Sequence, residues 1–193
     1  MKKSSVCIIL FMAFMHNAYA TERVYKNRLN TCTPTKEVIN NYEPIVFQPS
    51  NNLLHKAGLA PIFCGEKMLL KGKVLDKNCV PVSDAKIYAW QAGCDGKYPY
   101  KPLRKSVNQS HINLESASSF QGSGTATSNN NGEFQFITIR PTSSSKINIR
   151  VEHMLLGTIQ TAFAPTDNGC GCEASDVYDV TIVMDKVDLH RRY

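Results

Sequence analysis

The chain is short of several things, and each shortage closes a line of interpretation. Beyond residue 15 no apolar run approaches the length of about 20 residues that a membrane helix needs, so no span is expected in the mature chain. No Cys-x-x-Cys pair occurs, which removes the spacing that structural zinc sites favour. No basic helix or aromatic-interleaved basic patch is present, so nucleic acid is not an expected partner. No stretch carries a convincing amphipathic helical period. Tryptophan occurs once, at Trp90.

What is present begins with a leader. Met1-Lys2-Lys3 precedes the apolar run Val6 to Met15, and Ala18-Tyr19-Ala20 supplies a small-x-small end. This is the pattern of a secretory signal peptide over residues 1–20, cleaved after Ala20. His16 and Asn17 end the apolar run too early for an anchor. The short leader and the Asn- and Lys-rich composition point to a bacterial protein exported to the periplasm or secreted.

The chain has 22 Lys+Arg against 16 Asp+Glu. Losing Lys2 and Lys3 with the leader leaves a mild positive excess, scattered except for the basic tail of residues 187–193. The mature length suits one domain with its own core. Of the 7 cysteines, Cys7 leaves with the leader. Cys32, Cys64, Cys79, Cys94, Cys170 and Cys172 remain, and an even set in an exported chain reads as a disulfide framework. Cys170 and Cys172 are too close for an easy mutual bond, and the pairing stays open.

Residues 21–66 are polar, punctuated by Pro34, Pro44, Pro49 and Pro61, and lack a period. They read as an irregular arm wrapping the domain and tied down by Cys32 and Cys64. From Lys67 the pattern turns to short strands. Met68–Leu75 is one. Ala85, Ile87 and Ala89 then alternate with Lys86, Tyr88 and Trp90, a period of two. Residues 101–119 read as a long loop and Asn129–Gly132 as a turn, followed by a strand over Glu133–Arg140. In Lys146–Glu152, Ile147, Ile149 and Val151 take the core face and Lys146, Asn148, Arg150 and Glu152 the other. Gly157–Phe163 and Val177–Met184 complete about six strands. The expected fold is an all-β antiparallel sandwich over residues 67–186.

A family resemblance emerges from the blocks Leu70-x-Gly72-x-Val74-x-Asp76, Cys79-x-Pro81-Val82, Ala85-x-Ile87-x-x-Trp90-Gln91 and Gly96-x-Tyr98. Phe120-Gln121-Gly122 and Gly132-x-Phe134-x-Phe136-x-Thr138-Ile139-x-Pro141 follow in order. Together they resemble the intradiol ring-cleavage dioxygenases, the protocatechuate and catechol dioxygenases. The likeness spans about residues 32–185, with Asn40-Asn41 where the family usually has Gly-Pro. It implies the intradiol β-sandwich. It also implies a non-haem Fe(III) held by two tyrosines and two histidines, since hard anionic oxygen suits ferric iron.

Carried over residue by residue, the resemblance puts Tyr98 on the first ligand tyrosine. The second tyrosine is missing from Thr142–Ser145, and Lys146 and Asn148 occupy the two histidine positions. Lys146 has no free lone pair when charged, and Asn148 offers a weak neutral oxygen. His55, His111, His153 and Tyr100 are replacements by type only. Asp95, Glu115 and Asp167 are unpaired loop acids, and Gly122-Ser123-Gly124 is a turn without the context of a nucleophile elbow.

The expectation is an exported dioxygenase-like sandwich without ring-cleavage activity and with no cofactor. It would bind an unknown protein or small molecule, or serve as a structural subunit contacting a partner through Lys146, Arg150 and the tail. The alternative is an active Fe(III) intradiol dioxygenase acting on a catechol-type ring. Trp90 and Tyr100 are expected to pack around the Tyr98 loop.

Overall fold

A computed structural model describes residues 31–55, 58, 60, 63–142, 145–164 and 177–185. The leader, the basic tail, Asp167, Cys170 and Cys172 lie outside them. Among the described residues the regular structure is strand, apart from one 3-10 turn at Gln109–His111. That turn sits inside the expected loop, where the Asn108 side chain accepts from Ser110 N.

Among the described residues seven strands form two sheets. They are β1 (Lys67–Asp76), β2 (Lys86–Trp90), β3 (Ser123–Thr127), β4 (Glu133–Ile139), β5 (Ile147–His153), β6 (Gly157–Phe163) and β7 (Val177–Met184). One sheet has the order β4-β1-β7 and the other β3-β2-β5-β6. All pairings are antiparallel except β1 with β7, which run parallel. The all-β sandwich therefore stands, with one parallel pair inside it.

The alternation read from sequence is the alternation that packs. Met68, Leu70 and Val74 of β1 point inward, as do Ile147, Ile149 and Val151 of β5. They meet Ile87, Phe136, Ile139, Ile182 and Met184 in one core. Gly72 takes an inward position that no side chain could share, because a Cβ there would fall inside the Phe134 ring.

Two sequence readings need correction. A seventh strand, β3, was not expected, and Gly122-Ser123-Gly124 is not a free turn, since Ser123 and Gly124 open β3. The residues there are small because the arm lies against them. A Cβ on Gly124 would collide with the Ser50 carbonyl, and Thr125 N donates to that carbonyl at 2.9 Å.

Exposed sheet edges present unpaired backbone groups and must be covered. Here residues 31–55 reach all four edge strands. Thr35 N donates to Val183 O of β7 at 3.0 Å, and Val38 N donates to Gln160 O of β6 at 2.8 Å. Leu53 N donates to Ile137 O of β4 at 2.8 Å, and Ser50 O serves β3. Two disulfides fasten the segment on either side of this path, Cys32–Cys79 and Cys64–Cys94. Between its edge contacts the arm crosses the outer face of β2 and β5. Phe47 meets Tyr88 at 5.0 Å and Trp90 at 5.8 Å, both edge to face. Trp90 is thus wholly buried, with Phe47 of the arm against its ring.

Candidate functional site

The site lies where three pieces of chain meet on the outer face of the four-stranded sheet. The register pairs Trp90 of β2 with Asn148 of β5. Lys146 directly precedes β5 on the same outward parity. Beyond β2 the chain turns through Gly93–Tyr100, and Cys64–Cys94 anchors the start of that turn to the arm. Tyr98 is then fixed by its backbone, donating to His111 O at 2.8 Å and accepting from Asn113 N at 3.0 Å.

The Tyr98 ring stacks on Tyr42 of the arm at 4.7 Å, nearly parallel, and tilts against Tyr100 at 5.7 Å. His111 meets Tyr42 edge-on at 5.8 Å. Asn40 is the junction of the arrangement. Its Oδ1 accepts from Trp90 Nε1 at 3.2 Å and from Tyr42 N at 2.8 Å, while its Nδ2 donates to the Tyr98 hydroxyl at 3.4 Å. Asn148, buried, commits its amide hydrogens to the carbonyls of Trp90 at 3.2 Å and Lys146 at 3.4 Å.

These groups border an open cleft of about 580 Å³, within the ordinary size range of small-molecule sites. Tyr42, Tyr98, His111, Lys146 and Asn148 line it, with alkyl walls from Val38, Ile39, Ala92 and Ala162. Burial pushes the Tyr98 phenol above its ordinary value, and side-chain hydrogen bonds with Asn40 and Asn148 offset this only in part. Burial also pushes Tyr100 well up, with Tyr98 and Glu43 adding to it. Both side chains are neutral phenols near neutral pH.

The inherited ligand positions do not fit ferric iron. They offer one phenol, an ammonium and an amide whose hydrogens already serve two carbonyls. Where the second phenol would stand, Thr142 and Ser145 hydrogen-bond each other through their hydroxyls at 2.6 Å. Among the described residues no three His, Cys, Asp or Glu side chains gather at one point.

Of the candidate replacements, Tyr100 and His111 come close to Tyr98 and the others do not. His153 ends β5, where its Nδ1 accepts from Leu155 N at 3.4 Å, and His55 follows Leu54 away from the cleft lining. Asp95 reaches the cleft, but its carboxylate accepts from Lys97 N at 2.9 Å and Asn113 Nδ2 at 3.5 Å. Glu115 is exposed elsewhere in the loop.

Sequence reasoning missed Asn40 and Tyr42. The available signal was Asn40-Asn41 in place of the family's Gly-Pro, a departure that gains side chains just where the arm meets the site. Arg150 lies on the same outer face but is already occupied. It pairs with Glu43 at 2.7 Å and Glu152 at 3.4 Å, and stands over the Tyr88 and Phe47 rings.

The chain can now be set beside known proteins. The family model described as Dioxygenase matches residues 47–160. A Rickettsia conorii protein bearing the name "Putative dioxygenase" is 46% identical over 187 residues, covering 94% of this chain and 89% of its own. The protocatechuate 3,4-dioxygenase beta chain of Burkholderia cepacia is 32% identical over 77 residues, 40% of this chain and 30% of that one. Among solved structures, catechol 1,2-dioxygenase from Acinetobacter sp. ADP1 superposes with a TM-score of 0.55 at 13% identity. That match covers 91% of this chain and 69% of the other. At that identity the likeness is one of fold.

Proposed function

This chain belongs to the intradiol ring-cleavage dioxygenase family, and we propose that within it the chain is an exported binding module that does not cleave rings. One observation carries the reading. Lys146 and Asn148 stand at the positions the family resemblance assigns to two histidine ligands, and Asn148 is locked by bonds to the Trp90 and Lys146 carbonyls. Tyr98 is left as a neutral phenol held by amides, with no inherited ligand beside it. The open cleft on the outer face remains for binding. Export is supported by the leader sequence and by two disulfides, which persist in oxidising compartments.

The test is a ferric titration of the purified mature chain, followed by visible absorption and the bound iron-to-protein ratio. Tyrosinate on Fe(III) is strongly coloured. The expected result is a colourless protein that retains no stoichiometric iron and consumes no O2 with catechols. A coloured one-to-one complex would overturn the reading.

A second reading has its own observation. Tyr42 stacks on Tyr98 and His111 meets Tyr42 edge-on, and residues of those types could form a rearranged ferric site supporting catechol cleavage. The same titration separates the two.

A further inference from the structure

We propose that the cleft beside Tyr98 takes a small carboxylate with a short aliphatic body, its oxygens seated on the Lys146 ammonium and the Tyr98 hydroxyl. This rests on the preceding reading of the site as a metal-free binding cleft.

The charges around the cleft favour an anion. Lys97 and Lys146 line the cleft, and neither has a carboxylate partner among the described residues. Their acidic neighbour Asp95 is turned back onto its own loop through Lys97 N and Asn113 Nδ2. A ligand therefore meets two uncompensated ammonium groups and a carboxylate that is already engaged. Positive potential in a walled cleft raises the local concentration of anions.

The hydrogen-bond directions favour an acceptor. The Tyr98 oxygen accepts from Asn40 Nδ2, and the only other side-chain hydrogen-bond partner of its hydroxyl among the described residues is the neutral Asn148 amide. A phenol whose oxygen already accepts is left to donate, and a carboxylate is a stronger acceptor for its hydrogen than a neutral amide. The Asn148 amide hydrogens are held by two backbone carbonyls, so Asn148 does not compete for the ligand as a donor. The donors that the cleft can turn to a ligand thus include the Tyr98 hydroxyl and two ammonium groups. Charge-assisted bonds to a carboxylate are the strongest that such a set can make.

The wall favours an aliphatic body. The hydrocarbon lining comes from Val38, Ile39, Ala92 and Ala162. Tyr42 already has one face stacked on Tyr98 and its ring meets His111 edge-on. What is left for the body of a ligand is mainly alkyl surface.

The experiment titrates hexanoate into the mature protein by calorimetry, with hexanamide as the neutral control of the same shape. Hexanoate is expected to bind, and hexanamide to bind at least tenfold more weakly. Lys146→Met and Tyr98→Phe should each weaken hexanoate on the order of tenfold, the loss expected for one charge-assisted hydrogen bond. Lys71→Met, on the outer face of the other sheet, should leave binding unchanged, and melting curves verify that each variant is folded. Absence of hexanoate binding, equal binding of hexanamide, or an unaffected Lys146→Met would each overturn the proposal. A coloured ferric complex would instead overturn the metal-free reading beneath it, so the two failures are distinguishable.

Discussion

Replacing Asn40 by Ala tests whether the arm holds the site. The Asn40 side chain makes three bonds, and they differ in weight. Trp90 is fully buried, so its indole N–H loses its acceptor at Asn40 with no water to replace it. An orphaned buried donor costs about 1–3 kcal/mol. Tyr42 N lies nearer solvent and regains a water, so its loss is about 0.5–1.5 kcal/mol. The 3.4 Å bond to the Tyr98 hydroxyl lies at the long limit of useful geometry and adds little. The expected loss is about 2–4 kcal/mol, dominated by Trp90, and is read from urea unfolding. A double-mutant cycle isolates that term, because in a Trp90→Phe background the indole donor is already gone. Asn40→Ala should then cost about 1–2 kcal/mol less than in the wild type. The phenol titration gives an independent readout: Asn40 stabilises the charged form of Tyr98, so its removal should move Tyr98 ionisation to still higher pH. A loss below about 0.5 kcal/mol, or no coupling to Trp90, would refute the junction role.

Trp90→Ala should cost about 3–5 kcal/mol, because a fully buried ring leaves a cavity as well as losing its transfer energy. Urea unfolding at constant m-value checks it, and a loss near 1 kcal/mol would mean the ring is not enclosed by Phe47 and the sheet. Stability should also fall on the alkaline side. Tyr88, Tyr98 and Tyr100 ionise above their ordinary value in the folded chain, so above about pH 10 the unfolded chain releases protons that the native chain still holds. Their contribution is complete below that pH and is lost as pH rises through the folded values. Unfolding midpoints that stay flat from pH 9 to pH 11 would contradict this.

The strands were legible where one face is buried in the core and the other is not. Ile147, Ile149 and Val151 against Lys146, Asn148 and Arg150 is the plainest case. Three features were not legible, for separate reasons. The arm makes its edge contacts largely through backbone groups, as at Val38 with Gln160 and Leu53 with Ile137, and backbone bonding leaves no side-chain period. β3 was hidden because Gly124 must admit the Ser50 carbonyl, so its buried positions Ser123 and Gly124 are small and give no apolar period. The parallel pairing of β7 with β1 was invisible because a period of two is the same in either direction. The cysteine count implied a framework, but only the structure selects Cys32–Cys79 and Cys64–Cys94 from the possible pairings. At the site, the motif located Tyr98, while Asn40 and Tyr42 came from a segment whose place in space no local pattern encodes.

How the cleft accommodates its substitutions bears on what it is for. Removing ligands from a metal site without adjustment leaves buried polar groups without partners, each costing about 1–3 kcal/mol. Among the described residues the buried side-chain atoms lacking a hydrogen bond are Tyr100 Oη, Gln121 Nε2 and Arg150 Nε, and the last lies 3.4 Å from Glu152. None belongs to Tyr98, Lys146 or Asn148. Asn148 is satisfied by two carbonyls, Thr142 by Ser145, and the Tyr98 oxygen by Asn40. Asn148 and Thr142 thus arrive with partners, and the arm supplies one for Tyr98, while the Lys146 ammonium is left facing the cleft. An abandoned site drifting under no constraint has no reason to acquire matched partners on separate segments. A cleft kept for binding does, because a ligand must meet fixed donors in a fixed shape.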